Sequence, residues 1–184
     1  VPQPFVEQLQ QQGFVVVNDG FASVPRDYQQ LAATQAQLQQ SQSAAPCVNG
    51  KAGIFSCKNI DLVSHVALAD ISLKPGAAND IWGHTDLNTG TEYAILGLNN
   101  GTAVFSLADP AAPKEIGAIA GSRTSWRDIK VLQYYDNSLA RWRAYAYVSS
   151  EGSDNIQILD LNQLPGSVRL IAADKAVTSA HNVY

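Results

Sequence analysis

Methionine is absent from the 184 residues, cysteine occurs twice, histidine three times, and charged side chains make up only 15%. Each scarcity removes a class of function. Twelve Lys and Arg against sixteen Asp and Glu leave a net charge of −4, and a nucleic-acid surface needs the opposite, a clustered basic face. The only basic concentration, Arg141-Trp142-Arg143, is too short for that. No run reaches the roughly 18 apolar residues of a membrane-spanning helix. The chain opens at Val1 without an initiator, which leads us to expect a processed or trimmed start, signal-peptide removal being one way to produce it.

The two cysteines, Cys47 and Cys57, flank a loop containing two glycines and an Asn49-Gly50 turn signal. Such a loop closes easily, and a disulfide across it implies an oxidising compartment: secreted, periplasmic or cell-surface. Zinc needs four ligands, and here the nearest histidine, His65, stands alone. Two free buried thiols are the remaining alternative.

What is present divides the chain in two. Residues 1–46 are rich in Gln and poor in Gly and read as a helical segment ending in a linker, Ser41 to Pro46. Ser23 can cap that helix, Pro25 fits its first turn, and Tyr28, Leu31, Gln35 and Leu38 recur at helical spacing. The stripe is narrow, so the helix is expected on a surface or against a partner. Residues 47–184 change to short apolar runs separated by turn residues, the pattern of an all-β domain. Strands are expected at Ile60–Ala67, Glu92–Leu98, Thr102–Leu107, Glu115–Ala120, Asp128–Tyr134, Arg143–Ser149, Asn155–Leu161 and Ser167–Ile171. Asn99-Asn100-Gly101 marks a hairpin turn, because Asn and Gly tolerate positive φ.

These runs repeat. Asn79-Asp80-Ile81-Trp82 is echoed by Arg127-Asp128-Ile129-Lys130 and by His181-Asn182-Val183-Tyr184, at intervals of 48 and 54 residues. Between the echoes, Tyr93-Ala-Ile-Leu96 matches Tyr145-Ala-Tyr-Val148, and Thr102–Leu107 matches Ile156–Leu161. A period near 50 with about four strands per unit predicts part of a β-propeller: blades at about 60–121 and 122–176, and a third opening at 177. Closure takes typically four to eight blades, so the region is expected to be incomplete, completed by a protein partner or by the remainder of the same polypeptide.

The runs Cys47–Ser64, Ala78–Asp86, Thr89–Tyr93, Gly101–Phe105, Ser125–Lys130 and Ser179–Asn182 resemble the choice-of-anchor B family, over about Cys47 to Tyr184. The resemblance implies a bacterial secreted or surface protein with propeller-like LVIVD repeats and carries no general catalytic activity. In the second unit, Ser150–Asn155 stands where relatives often carry a His-Gly pair.

Three constellations bear on function. Asp80, Arg127, Asp128, His181 and Asn182 hold like places in successive units, and such residues converge at one mouth of a propeller channel as a binding ring. Alternatively, Asp at a strand start ties down the turn between blades. Asp86, Asn88 and Glu92 place oxygen donors at alternate positions as a calcium loop begins, and an ordinary hairpin turn accounts for the same residues. His84, Asp86 and Ser125 suggest a triad, but no nucleophile elbow accompanies them. Trp82, Trp126 and Trp142 with Tyr134 and Tyr135 suit either a carbohydrate or partner surface or filling between blades. The expectation is therefore an extracellular or cell-surface binding or structural module without catalysis, with no cofactor beyond a candidate calcium. A secreted hydrolase or lyase with a polar channel mouth, and a subunit of an extracellular fibre, are the alternatives.

Overall fold

The computed structural model describes residues 10–12, 36–152, 156–174 and 176–184. The chain forms two compact units, Val1–Gln40 and Ser41–Tyr184. In the first, residues 10–11 and 36–38 are helical. Ser23, Pro25, Tyr28, Leu31 and Gln35, on which the Gln-rich helix was expected, lie outside the described residues.

The regular structure of the second unit is antiparallel β-sheet apart from one 3-10 turn. Cys47 and Cys57 are bonded, with Cα atoms 5.9 Å apart. Their loop contains a two-residue hairpin, β1 (Lys51–Ala52) and β2 (Phe55–Ser56). Asn49 and Gly50 turn into it with positive φ, as their residue types allow. The strand expected over Ile60–Ala67 does not form. Only isolated bridges, Ala45↔Leu62 and Gln42↔His65, are present, followed by a 3-10 turn at Leu68–Asp70. The run is apolar without alternating: Ile60 and Val63 face solvent, while Val66, Leu68, Ile71 and Leu73 turn down onto a neighbouring sheet.

That sheet is a four-stranded meander of β3 (Ala78–Thr85), β4 (Glu92–Leu98), β5 (Gly101–Ser106) and β6 (Lys114–Ala120). A second meander follows, of β7 (Ile129–Asp136), β8 (Arg141–Val148), β9 (Ile156–Asp160) and β10 (Arg169–Asp174). Strand β3 is one that sequence pattern misses, because Asn79, Asp80 and Gly83 interrupt its apolar alternation. Residues 177–184, expected to open a third blade, form no strand. They are bonded through Ala180 N–H to the Ser150 carbonyl and Val183 N–H to the Asp128 carboxylate.

Cross-strand register shows that the two sheets repeat one another residue by residue. Ile81 opposes Leu96 as Ile129 opposes Val148. Ala94 opposes Phe105 as Ala146 opposes Leu159, and Ile95 opposes Val104 as Tyr147 opposes Ile158. Each last strand is bulged at the same place, skipping Ile116 in β6 and Ile171 in β10. Asp80 and Asp128 therefore occupy equivalent positions.

Because side chains alternate across a strand, each sheet has two distinct faces. Tyr93, Ile95 and Val104 of the first sheet pack against Ala144, Ala146, Val148 and Leu159 of the second, forming the main core. The opposite face of the first sheet, Leu98, Ala103 and Phe105, packs on Ile71 and its neighbours.

The sheets approach closely at Gly97, where a Cβ would lie 2.4 Å from Asn79 Oδ1 and 3.3 Å from the Arg127 carbonyl oxygen. Gly97→Ala is expected to cost about 1–3 kcal/mol by overpacking. Gly83→Ala, whose Cβ meets nothing within 4 Å, should stay within about 0.5 kcal/mol of the parent. Urea denaturation of the two variants side by side checks this.

Loss of the Cys47–Cys57 bond in a Cys47→Ser, Cys57→Ser double variant should cost about 2–3 kcal/mol, since the crosslink closes a short loop of the unfolded chain. The same measurement under non-reducing conditions reads it.

Candidate functional site

Where the repeat echoes meet, a carboxylate of one unit accepts a backbone N–H of the next. Asp80 Oδ2 accepts from Ile129 N–H at 3.3 Å, and Asp128 Oδ2 accepts from Val183 N–H at 2.8 Å. Ile129 and Val183 are equivalent positions, so one bond recurs with the repeat. Asp80 lies in the bulge of β3 between Ala78 and Ile81, and Asp128 directly precedes β7. Ser149 reinforces the second junction: its Oγ accepts from Asp128 N–H and donates to the His181 carbonyl.

Asp80, Asp128 and residues 181–183 are thus brought together along one line. Lys130 Nζ closes on Asp128 Oδ1 at 2.6 Å and lies 4.5 Å from the Trp82 ring centroid and 5.9 Å from that of Tyr184. Trp82, Lys130 and Tyr184 are themselves equivalent positions of the three echoes. They stack as ring, cation and ring, each aromatic face attracting the ammonium. Sequence reading named Trp82 but missed Lys130 and Tyr184; their place two residues after each repeated Asp or Asn was the available signal.

Arg127 and His181 point elsewhere. Arg127 is fully buried and donates from Nε to the Leu98 carbonyl and from Nη2 to the Ser122 carbonyl. His181 stacks on Trp126 with centroids 5.0 Å apart, and its Nδ1 lies 2.6 Å from Glu151 Oε1. Asn182 is exposed, its Nδ2 3.4 Å from the Tyr184 hydroxyl.

The carboxylate that defines the line is held ionised. Burial pushes the Asp128 carboxyl up, but hydrogen bonds from Lys130 and the Val183 amide, the Asp80 carboxyl and the Lys130 charge outweigh it, leaving it below the usual range. A carboxylate so fixed is a poor proton donor and a weak base at neutral pH.

In the candidate calcium loop, Asp86 Oδ1 accepts from Asn88 N–H and Nδ2, each at 2.9 Å, and Oδ2 accepts from Thr89 Oγ1 at 2.9 Å. The turn's own donors thus occupy both carboxylate oxygens. Asn88 also spans to the second sheet, where its Oδ1 accepts from Trp142 N–H at 2.9 Å and its Nδ2 donates to Trp142 O at 3.0 Å. Gln133 returns the arrangement, accepting from Leu87 N–H and donating to Thr85 O. Glu92 opens β4 opposite Thr85 and is exposed. Among the described residues no three His, Cys, Asp or Glu side chains gather as a metal site.

His84 is buried and stacks on Tyr93. Desolvation lowers its pKa, and neighbouring Asp86 only partly opposes that, so His84 is neutral at pH 7. Ser125 bonds Glu151 Oε2 at 2.9 Å and is not joined to His84. Trp142 and Arg141, with Asn88 and Asn162, line a cleft of about 350 Å³ between the sheets. Tyr134 and Tyr135 are exposed on β7.

No family model matches this chain, and neither curated proteins nor solved structures provide a match. No helix among the described residues is long and apolar enough to cross a membrane.

The depressed Asp128 pKa fixes a pH dependence. A carboxyl lower in the folded than in the unfolded state contributes stability above its unfolded pKa and loses it as pH falls through the folded value. Stability should therefore decline on acidification below about pH 4, the ordinary Asp value. Asp128→Asn should lower stability at pH 7 by about 1–3 kcal/mol and flatten the decline. Thermal denaturation from pH 7 to pH 3 reads both effects.

Proposed function

We propose that this chain is part of a β-propeller serving as a non-catalytic binding or structural module outside the cytoplasm. The observation carrying the reading is the repeated carboxylate-to-amide bond, which joins the first four-stranded meander to the second through Ile129 and recurs from Asp128 to Val183 at the equivalent position of the echo. Head-to-tail stacking of such meanders is the architecture of propeller blades. The polar residues that the repeat marks are engaged in fastening units together, which favours scaffold over reaction centre. The Cys47–Cys57 bond supports an oxidising compartment, and the resemblance to the choice-of-anchor B family points the same way. Calcium has no support from the Asp86 turn, whose carboxylate its own donors satisfy.

Electron microscopy of the native protein tests the architecture: a ring of about four to eight four-stranded sheets is expected. A panel of glycan, ester and peptide substrates tests the chemistry, with no turnover expected. Turnover abolished by Asp80→Asn or Asp128→Asn, with folding intact by circular dichroism, would establish the hydrolase or lyase alternative instead.

A further inference from the structure

The hairpin that opens the second sheet is longer than its counterpart in the first. Ile129 and its partner Val148 stand nineteen positions apart, Ile81 and Leu96 fifteen. Asp86, whose N–H bonds the Thr91 carbonyl to close the first turn, corresponds with Thr91 to the pair Tyr134 and Arg143. The second hairpin then adds the pairs Tyr135↔Trp142 and Asp136↔Arg141, which the first lacks.

These extra residues overhang the first sheet's turn and are tied to it. Asn88 bonds the Trp142 main chain through both its side-chain oxygen and its side-chain nitrogen. The cleft of about 350 Å³ lies at this overhang, where Trp142 and Arg141 line it together with the apolar side chains of Ala144, Leu161 and Leu164.

The repeat does not account for the lining. Arg141 and Trp142 have no counterpart in the first unit, and Asn162, by the register that matches Ile158 to Val104, stands where the first unit has Ala108. Residues that the repeated architecture does without are thus gathered on one cleft.

Their chemistry selects a ligand. Trp142 is half-buried and meets Tyr135 edge-on, with ring centroids 5.5 Å apart, so the indole is held in place. Arg141 donates from Nη2 to the Asn162 carbonyl, leaving the rest of its N–H fork for other acceptors. Asn88 and Asn162 each accept one bond at the side-chain oxygen, from Trp142 N–H and from Ala144 N–H, and keep a second lone pair. The Arg141 and Asp86 charges in the lining balance. An uncharged ligand with several hydroxyls and an apolar C–H patch for an aromatic ring meets all of these groups, and a saccharide has each property. The volume is at the small end of the roughly 300–1,000 Å³ of ligand sites, which limits the occupant to a mono- or disaccharide.

We propose that this cleft binds a neutral mono- or disaccharide, with its C–H face on Trp142 and its hydroxyls on Arg141, Asn88 and Asn162. The inference rests on the reading of the chain as a binding module and names its ligand class. Because Arg141, Asn88 and Asn162 are already bonded to main-chain atoms, little side-chain ordering opposes binding.

NMR titration of the protein, with its tryptophan indole nitrogens isotopically labelled, tests the proposal. The probes are the methyl glycosides of glucose, galactose, mannose, fucose and N-acetylglucosamine, with cellobiose, maltose and lactose. At least one should shift the Trp142 indole signal saturably and leave those of Trp82 and Trp126 in place. Arg141→Ala, at an exposed position, should weaken that sugar about tenfold, as loss of a hydrogen bond from a charged donor predicts. Tyr134→Ala, on the opposite face of β7, should bind as the parent does. A variant lacking Tyr135, Asp136, Arg141 and Trp142, which reproduces the shorter first hairpin, should be folded by circular dichroism and bind no sugar by calorimetry. No shift of Trp142 with any of these sugars overturns the proposal, as does binding that Arg141→Ala leaves unchanged. A response confined to glucuronate or inorganic phosphate also overturns it, because the cleft would then be an anion site. None of these results alters the ring expected in the microscope or the absence of turnover. Saturable binding at Trp142 followed by hydrolysis of the glycoside would uphold the site and overturn the non-catalytic reading instead.

Discussion

The bond between an aspartate carboxylate and a backbone amide 49 or 55 residues further along the chain is the constraint on which the arrangement of residues 78–184 depends. Asp80 reaches Ile129, which ties the start of the second sheet to the first, and Asp128 reaches Val183, which ties residues 181–184 to the second sheet. A sheet held at its first strand can only lay one of its faces on its predecessor, which gives the stack a direction. Gly97 is the other side of that closeness: the second unit's backbone at Arg127 passes where a side chain would otherwise stand. Asn88 and Gln133, bonding across the sheets at the opposite end of the inner strands, keep the pair from splaying.

Direction brings division of labour between faces. Tyr93, Ile95 and Val104 of one sheet fill the space left over Ala144 and Ala146 between Ile129, Val148 and Leu159 of the next. The segment at residues 66–73 supplies the cover for the other face of the first sheet, with Leu98, Ala103 and Phe105, without being a sheet. Its apolar side chains satisfy the same burial requirement with irregular backbone, whose polar groups find partners such as Ser41 Oγ, which accepts from Ala67 N–H, and Glu115, which accepts from Ser72 N–H. The disulfide shortens the unfolded reach of the chain that leads into that cover.

Function follows from what these contacts leave over. Lys130 is shared between a buried carboxylate and two rings, Arg127 between two carbonyls, and Asp86 between the amides of its own turn. Groups engaged in this way are held in position by their partners. What is left to offer a partner is the exposed aromatic and aliphatic face of β7 to β10 and the cleft beside Trp142.

The all-β class, most strands, the two-unit repeat and the disulfide were legible in the sequence, because alternation, turn residues and loop spacing are local signals. The echo of Asp80 in Asp128 was legible as well, and backbone register makes the two equivalent, each directly before the paired residues Ile81 and Ile129. Strand β3 was hidden, since Asn79 and Asp80 serve the junction at the expense of strand propensity, and Ile60–Ala67 looked like a strand because composition cannot tell a covering segment from a paired one. Only the tertiary structure decided which atoms the repeated carboxylates meet, that Arg127 points inward, and that Trp82, Lys130 and Tyr184 form one stack. Those contacts join residues about fifty apart in the chain, and a pairing across such a distance is set by how two sheets pack, which no local pattern of side chains encodes.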